Sequence, residues 1–266
     1  MIEVKNVRKS FGDKVVLQDV SAKMEPGKTN LIIGTSGSGK TVLMKTLIGL
    51  LPVDSGAVLY EGHDIVTMDE KDLKELRKHI GMLFQGGALF DSKTVENNVM
   101  FPLDMFTKMS HTEKLKRVNE VLDRVNLKDT NDKFPAEISG GMRKRVALAR
   151  AIVQNPKYLF CDEPNSGLDP QTSLVIDKLI KEITTEFNIT TIINTHDMNT
   201  VMESGDHIVY MYQGNKQWEG SNKDIIFSKD ERLNAFIFAS DFLTKAKEMS
   251  MMEATEKERI KRLPKF

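Results

Sequence analysis

The sequence predicts an α/β fold built on a mainly parallel, covered sheet. Apolar runs at 31–33, 158–161 and 190–194 have the length and composition of buried strands. The stretch 172–187 has helical character and lies between two of these runs, so strand and helix alternate along the chain. Strands connected in this way run parallel, which brings their carboxyl ends to one edge of the sheet.

The amino-terminal region predicts a separate antiparallel β subdomain. Residues 2–7 alternate apolar and polar side chains, as a half-buried strand does. A turn at 11–14 leads into a second strand at 15–20. A short turn between two strands makes antiparallel neighbours.

Further elements follow in the middle of the chain. We expect a helix at 41–50 that stops near Pro52, and a strand at 80–84. Ser110 and Glu113 have the spacing of a capping box and therefore mark the start of a helix. The stretch 86–133 that contains this helix reads as part of an inserted helical subdomain. One face of the helix carries Leu115, Val118, Leu122 and Val125.

The last part of the chain predicts a hairpin and then helix. Strands at 208–212 and 216–218 flank Gly214, and the chain is helical again from about 224. The stretch 244–266 is charged and rich in methionine, with no clear apolar face.

Composition excludes several classes of protein. The 38 Lys and Arg balance the 38 Asp and Glu, whereas nucleic-acid binders usually carry a strong basic excess, so we expect no nucleic-acid partner. The single cysteine, Cys161, excludes an intrachain disulfide framework and favours a reducing compartment. The amino terminus does not resemble a signal peptide, and no apolar run approaches the roughly 18 residues of a membrane span. A cytosolic chain is expected, unless a partner holds it at a membrane.

A phosphate-binding loop follows the first buried strand. The pattern G-x-x-x-x-G-K-[ST] between a strand and a helix predicts backbone N–H groups that point at phosphate oxygens. Lys40 adds a full positive charge, and the hydroxyl of Thr41 is a candidate magnesium ligand. The alternative, a glycine- and serine-rich loop that happens to carry a lysine, does not explain the flanking strand and helix. The loop consists of Gly34, Thr35, Ser36, Gly37, Ser38, Gly39, Lys40 and Thr41.

Two adjacent carboxylates follow another buried strand. Asp162 and Glu163 come directly after the apolar run 158–161, at the ligand-binding edge of the predicted sheet. Asp162 is the expected magnesium ligand, directly or through water, and Glu163 is the expected base for an attacking water. A surface Asp-Glu pair in a turn is the alternative, and the four preceding apolar residues disfavour it.

Taken in order, these motifs make the chain resemble the ATP-binding subunits of ABC transporters over about residues 2–220. The stretch 138–142 resembles the signature motif of that family. The resemblance implies ATP and Mg²⁺ as cofactors and a head-to-tail homodimer, in which each ATP lies between the phosphate loop of one copy and the signature of the other. The signature residues that would contact the partner's ATP are Ser139, Gly140 and Gly141.

The resemblance assigns four more positions. Phe11 falls where an aromatic ring stacks on adenine, and Gln85 resembles the glutamine that senses both magnesium and the transport partner. Asp169 belongs to the loop that signals across the dimer. His196 resembles the switch histidine that contacts the γ-phosphate and positions the catalytic carboxylate.

Three positions depart from the pattern of the family. Val42 occupies an ATP-contacting position where a hydroxyl residue is frequent, so one side-chain contact to the α-phosphate is lost. Met142 replaces a glutamine that is common in the signature. Asn165 stands where a threonine is frequent, and the sequence offers no physical explanation for this asparagine.

Two stretches resemble a subgroup, the cassettes of MCE-protein (Mla-type) phospholipid transporters. They lie at 139–147 and 87–103. This implies a membrane permease, an MCE-domain lipid-binding protein, phospholipid cargo, and a peripheral position at the cytoplasmic face of the inner membrane. A small-solute importer, for amino acids for example, is the alternative, because the cassette core is alike in both. A soluble cassette protein that acts on ribosomes or DNA is disfavoured, since neither a second cassette nor a long coiled-coil insertion is present.

These assignments divide the chain into an ATPase domain at 1–220, with a helical subdomain at about 86–155, and a carboxyl-terminal extension at 221–266. Leu89 and Phe90 are candidates for an exposed apolar socket for the permease; the alternative is that they pack inside the helical subdomain. The mildly basic end of the chain is either a solvated tail or a contact for acidic lipid headgroups. Three apolar residues of the extension either dock on a neighbouring subunit or cap their own core: Leu233, Phe236 and Ile237.

Overall fold

The main sheet has six strands in the order β10-β9-β3-β8-β7-β6, and all neighbours are parallel except β10 and β9. A computed structural model describes residues 1–261, and describes residue 242 and residues 253–261 by backbone alone. The strands are β3 (Thr29–Ile33), β6 (Ile80–Leu83), β7 (Tyr158–Asp162), β8 (Thr190–Thr195), β9 (His207–Tyr212) and β10 (Asn215–Gly220). The predicted parallel core sheet is therefore confirmed.

A second, antiparallel sheet has the order β2-β1-β4-β5. The amino-terminal strands are longer than the sequence pattern indicates, because β-bulges in β1 interrupt the alternation of side chains between residues 4 and 10. The antiparallel amino-terminal subdomain is confirmed as a feature of the fold. Its strands are β1 (Ile2–Phe11), β2 (Lys14–Met24), β4 (Ser55–Tyr60) and β5 (His63–Asp64).

Helices cover the main sheet, and most of them begin at a residue whose side chain caps the first turn. The predicted capping box is present: Ser110 accepts from the backbone N–H of Glu113, and the Glu113 carboxylate accepts from that of Ser110. The helices are α1 (Lys40–Leu47), α2 (Glu70–Lys78), α3 (Val95–Phe106), α4 (His111–Arg124), α5 (Gly140–Ile152), α6 (Pro170–Glu186), α7 (Met198–Ser204), α8 (Asn222–Ile225), α9 (Glu231–Ile237) and α10 (Asp241–Lys261), with a 3₁₀ turn at Pro135–Glu137.

Helices α2, α3 and α7 were not predicted from the sequence, and α1 differs in its bounds. Helix α3 was not predicted, because Pro102 lies within it and the run of apolar residues has no clear helical period. Helix α1 ends at Leu47 rather than near Pro52, since Gly49 takes a left-handed conformation with φ of 68°. Helix α5 begins at Gly140 because the side chain of Ser139 caps it.

Two separate cores lie on the two faces of the main sheet. Leu31 and Ile33 of β3 pack with the helices α3 to α6, while Ile32 packs with α1 and the antiparallel sheet. Because both faces are buried, the central strands are apolar throughout rather than alternating. No helix in residues 1–261 is both long enough and apolar enough to cross a bilayer.

The carboxyl-terminal extension contributes to the first of these cores. Leu233 and Ile237 are fully buried in it, so they cap the core of their own chain. Phe236 is half-buried and its ring stacks on Tyr210 with centroids 5.4 Å apart. Of the basic residues expected in the tail, those at 262–266 lie outside the described residues.

Candidate nucleotide site

Four parallel strands end at the same edge of the main sheet, and each is followed by a loop with predicted site residues. The phosphate loop follows β3, Gln85 follows β6, Glu163 follows β7, and His196 follows β8. Parallel strands place their carboxyl ends together, so positions more than 100 residues apart in sequence meet at this edge.

The phosphate loop curls tightly around its own lysine. Its glycines adopt positive φ angles, and at Gly34 (φ 148°) a Cβ atom would lie 2.3 Å from the backbone oxygen of Met211. The Lys40 ammonium donates hydrogen bonds to the carbonyl oxygens of Gly34 at 2.8 Å and Thr35 at 3.1 Å. Burial lowers the pKa of Lys40, and the nearby carboxylates of Glu163 and Asp162 oppose that shift.

The loop forms the floor of a cavity of about 1010 Å³. All residues of the predicted loop line it except Ser38, which lies beneath it, and Val42, Glu163 and His196 line it as well. Among the described residues, the buried hydroxyl of Ser38 has no hydrogen-bond partner. Other lining residues were not predicted from sequence: Lys14, Val15, Val16, Gln18, Met198, Gln213, Gly214 and Phe236.

Phe11 does not line this cavity. It lies at the end of β1, is 49% exposed, and has the Lys9 ammonium 5.6 Å from its ring centroid. The exposed ring leaves a face available for stacking, as the adenine assignment requires. That assignment stays a prediction.

Glu163 lies at the centre of a hydrogen-bonded set. His196 Nδ1 is 3.1 Å from Glu163 Oε1, and Gln85 Nε2 donates to Glu163 Oε2 at 3.0 Å and to Ser166 Oγ at 3.2 Å. The backbone of Glu163 is left-handed with φ of 46°, and its N–H donates to the carbonyl of Asn194 at 2.9 Å. A non-glycine residue in this region costs about 1–3 kcal/mol, which the surrounding contacts must offset.

The candidate magnesium ligands lie beside this set. Asp162 ends β7 and its Oδ1 accepts a hydrogen bond from Asn194 Nδ2 at 3.0 Å. Thr41 is in the first turn of α1, and its hydroxyl, the Asp162 carboxylate and the Gln85 amide are the hard oxygen donors that Mg²⁺ prefers. The described residues contain no group of three or more His, Cys, Asp or Glu arranged to hold a metal.

The signature residues and Asp169 lie outside the cavity. Ser139 caps α5 by accepting from Met142 N–H at 3.2 Å, and Asp169 caps α6 by accepting from Thr172 N–H at 3.0 Å. The two caps are adjacent: a Cβ atom on Gly141 would lie 2.5 Å from Thr172 Cγ2. Ser139, Gly140, Gly141 and Asp169 thus form one surface apart from the phosphate loop.

Comparison with known proteins gives one consistent result. The family described as "ABC transporter" matches residues 17–166. A "probable ribonucleotide transport ATP-binding protein" (mkl) from Mycobacterium leprae is 40% identical over 230 residues, which cover 86% of this chain and 66% of the relative. The chain spans just under two thirds of the length of such mycobacterial relatives. "Methionine import ATP-binding protein MetN 1" from Staphylococcus aureus is 38% identical over 98% of this chain and 77% of its own length.

Solved structures agree with the sequence comparisons. A dimeric ATP-binding cassette in a post-hydrolysis state, bound to ADP and Pi, superposes with a TM-score of 0.75 at 31% identity, and covers 84% of this chain and 99% of its own. CbiO1 from Clostridium perfringens, part of the transporter complex cbiONQ, superposes with a TM-score of 0.80 at 29% identity, over 94% of this chain and 98% of its own. The chain therefore belongs to the ABC transporter family, as one of its ATP-binding cassettes.

Proposed function

We propose that this chain binds and hydrolyses ATP as the nucleotide-binding subunit of a membrane transporter. The observation that carries this proposal is the contact of Glu163 with both His196 and Gln85 at the edge of the phosphate-loop cavity. A carboxylate held beside a phosphate site by a histidine and an amide is an arrangement for activating water.

The residues of the cavity divide the work of hydrolysis. Backbone N–H groups of the loop and the Lys40 ammonium bind the phosphates and stabilise the negative charge that builds up during transfer. Glu163 accepts a proton from the water that attacks the γ-phosphorus, and the bond to the β–γ bridging oxygen breaks to give ADP and phosphate. His196, with its proton on Nδ1, donates to Glu163 and fixes the orientation of the carboxylate.

The donor set fits Mg²⁺, which neutralises phosphate charge when it is bound. Thr41, Asp162 and Gln85 are the residues that would hold the ion, through their side-chain oxygens. Asn194 orients the Asp162 carboxylate through the 3.0 Å hydrogen bond to Oδ1.

A second copy of the chain is the proposed partner at the nucleotide. The surface of Ser139, Gly140, Gly141 and Asp169 is exposed or half-exposed and does not line the cavity of its own chain. Backbone N–H groups at the start of α5 suit a phosphate, so a head-to-tail pair would complete each site with the signature of the partner. The similar cassette that is dimeric with bound ADP and Pi supports the pairing of two copies.

The loop after Gln85 is the proposed contact for a membrane permease. Phe90 is 39% exposed, and its backbone N–H and C=O are both bound by the buried amide of Asn98. Its ring packs edge-on against Phe101 with centroids 4.8 Å apart. Leu89, in contrast, is half-buried and packs against the core. Of the two residues expected to form an exposed apolar socket, only Phe90 is therefore exposed.

A small solute is the cargo that the comparisons favour. The relatives are named for ribonucleotide transport and methionine import, and ribonucleotides and methionine are both small, water-soluble molecules. This supports the importer alternative over a phospholipid system. In either case the chain would act at the cytoplasmic face of the inner membrane, where a permease holds it.

Phospholipid transport with an MCE-domain protein is the second candidate, and one structural observation favours it. The two stretches that resemble that subgroup touch each other: a Cβ atom on Gly87 would lie 3.6 Å from Ala147 Cβ and 3.9 Å from the carbonyl oxygen of Arg143. Arg150, just outside these stretches, donates to the carbonyls of Gly87 at 2.7 Å and Ala88 at 2.8 Å. The two stretches are therefore neighbours in the fold, at the loop that carries Phe90.

Lys40→Ala should weaken ATP binding about 10- to 100-fold, because charge-assisted hydrogen bonds worth roughly 1.5–3 kcal/mol are lost. Binding of a fluorescent ATP analogue to the full chain measures the change. Lys45→Ala, an exposed lysine later in the same helix, is the matched control and should bind normally. Equal affinity in the two variants would contradict the assignment of the loop.

Glu163→Gln should lower the rate of ATP hydrolysis at least about 100-fold, because the amide cannot accept the proton of the attacking water. ATP binding should persist, so the variant should accumulate as an ATP-bound dimer in size-exclusion chromatography. Glu182→Gln, a substitution on the exposed side of α6, serves as the control. Hydrolysis at the wild-type rate in Glu163→Gln would remove Glu163 from the role of base.

Phe90→Asp should abolish co-purification of the permease and leave ATP binding of the isolated chain unchanged, because a carboxylate in an apolar socket is not solvated. Phe187→Asp alters a similarly exposed ring, 48% exposed, next to the amino end of β8. If Phe90→Asp retains the permease as well as Phe187→Asp does, the proposed contact surface is wrong.

The cargo class is tested by purifying the tagged chain from detergent-solubilised membranes, followed by mass spectrometry of the bound proteins and lipids. We expect a permease together with a solute-binding protein. An MCE-domain protein with bound phospholipid would instead overturn the small-solute assignment and establish the second candidate.

A further inference from the structure

Three polar side chains are buried together behind the proposed catalytic carboxylate. Asn165 is 9% exposed, Asp177 is 4% exposed and Thr200 is fully buried. They come from three different segments: the loop after β7, the middle of α6, and helix α7. None of them lines the nucleotide cavity or touches a proposed magnesium ligand.

The three side chains form a closed set of hydrogen bonds. Asn165 Nδ2 donates to Asp177 Oδ1 at 2.8 Å and to Thr200 Oγ1 at 3.1 Å, and Thr200 Oγ1 donates to Asp177 Oδ2 at 2.7 Å. Each pair in the set is therefore bonded directly. The remaining polar atom of Asn165, its amide oxygen Oδ1, is buried and accepts no hydrogen bond from the described residues.

Two of the three members are close in sequence to a residue of the proposed site. Asn165 is two residues after Glu163; Pro164 between them is buried, and Ser166 N–H donates to the carbonyl of Glu163 at 3.1 Å. Thr200 is four residues after His196, in the first turn of α7. Asp177 lies in the middle of α6 and bonds the segments that carry Asn165 and Thr200.

Packing alone does not account for a carboxyl group at position 177. Burial raises the pKa of Asp177 to about 6. The hydrogen bonds from Thr200 and Asn165 lower this pKa, and the negative charges of Asp197 and Glu203 raise it. An apolar residue of similar size would avoid this desolvation, and such replacements are often neutral or stabilising. The carboxyl group is thus desolvated, and it is the only member that bonds both other segments with separate oxygens.

We propose that Asp177 is a positioning residue, which fixes Glu163 and His196 relative to each other by binding Asn165 on one side and Thr200 on the other. This inference rests on the proposed role of Glu163 in hydrolysis. It also explains Asn165, the departure that the sequence leaves unexplained: its amide has two hydrogens, and it donates to both partners at once.

The consequence for catalysis is specific to the chemical step. Glu163 and His196, 3.1 Å apart, lie on the loops that follow β7 and β8. Among the described residues, the last backbone hydrogen bond between these two loops is the one from Glu163 N–H to the carbonyl of Asn194. Loss of the set would let these loops shift independently. Misplacement of a catalytic group by about 1 Å can cost roughly 100-fold in rate, while the phosphate loop, held by its own contacts, would still bind ATP.

An exchange of amide and carboxylate provides the test. Asn165→Asp places two buried carboxyl groups in contact, and Asp177→Asn places two amides there; the double variant restores one of each. In the full chain we expect kcat to fall about 10- to 100-fold in Asn165→Asp and about 5- to 20-fold in Asp177→Asn, with the double variant within about 3-fold of wild type. The KM for ATP should change by less than about 3-fold in all three.

Thr200→Val is the second measurement, because it removes only the hydroxyl that joins α7 to the set and keeps the shape of the side chain. It should lower kcat without changing the affinity for ATP. Thermal unfolding and ATP-analogue binding give the folded fraction of each variant, to which kcat is normalised. Wild-type kcat in Asn165→Asp, or a double variant no faster than the slower single variant, overturns the proposal.

Glu163→Gln is measured in parallel, so that a failure of the proposed role of Glu163 can be distinguished from a failure of the proposed positioning role of Asp177. If Glu163→Gln hydrolyses ATP normally, the proposed function of Glu163 is wrong and the positioning role is lost with it. If Glu163→Gln is inactive while the Asn165, Asp177 and Thr200 variants all keep wild-type kcat, the positioning role alone is wrong.

Discussion

The parallel alignment of β3, β8, β7 and β6 is the constraint on which the rest of the molecule depends. Each strand contributes one loop to the same edge, and backbone pairing such as Ile33 with Thr195 sets how far each loop extends. The two cores fix this sheet from both faces, because the central strands present apolar side chains in both directions. Hydrogen bonds among Gln85, Glu163 and His196 are then a consequence of strand order, since no local segment contains two of these residues.

The sequence was sufficient for features that are encoded locally. The phosphate loop is recognisable because its glycines and Lys40 are contiguous, and the capping box at Ser110 requires only two residues three positions apart. The strand–helix alternation predicts the sheet for the same reason. Helix α3 was missed because Pro102 suggests a break, whereas the chain is helical on both sides of it, from Val95 to Phe106.

Features that depend on tertiary contacts could not be predicted. Leu89 and Phe90 are adjacent and both apolar, yet only the second is exposed, and this difference is set by a buried amide eight residues away from Phe90. Asn165 is similar: its partners are 12 and 35 residues away. No pattern within a short window distinguishes a polar residue with such partners from a solvent-exposed one. The roles of these residues became apparent only from the hydrogen bonds in the folded chain.

Phe236 has a further consequence for how the chain is divided. A boundary near residue 220 separates the nucleotide-binding motifs from the extension, but the ring of Phe236 is part of the wall of the nucleotide cavity, and Leu233 anchors it in the main core. The cavity wall is therefore complete only when the segment around Phe236 is docked on the main core. Nucleotide affinity is thus linked to the packing of a segment that contains none of the phosphate-binding residues.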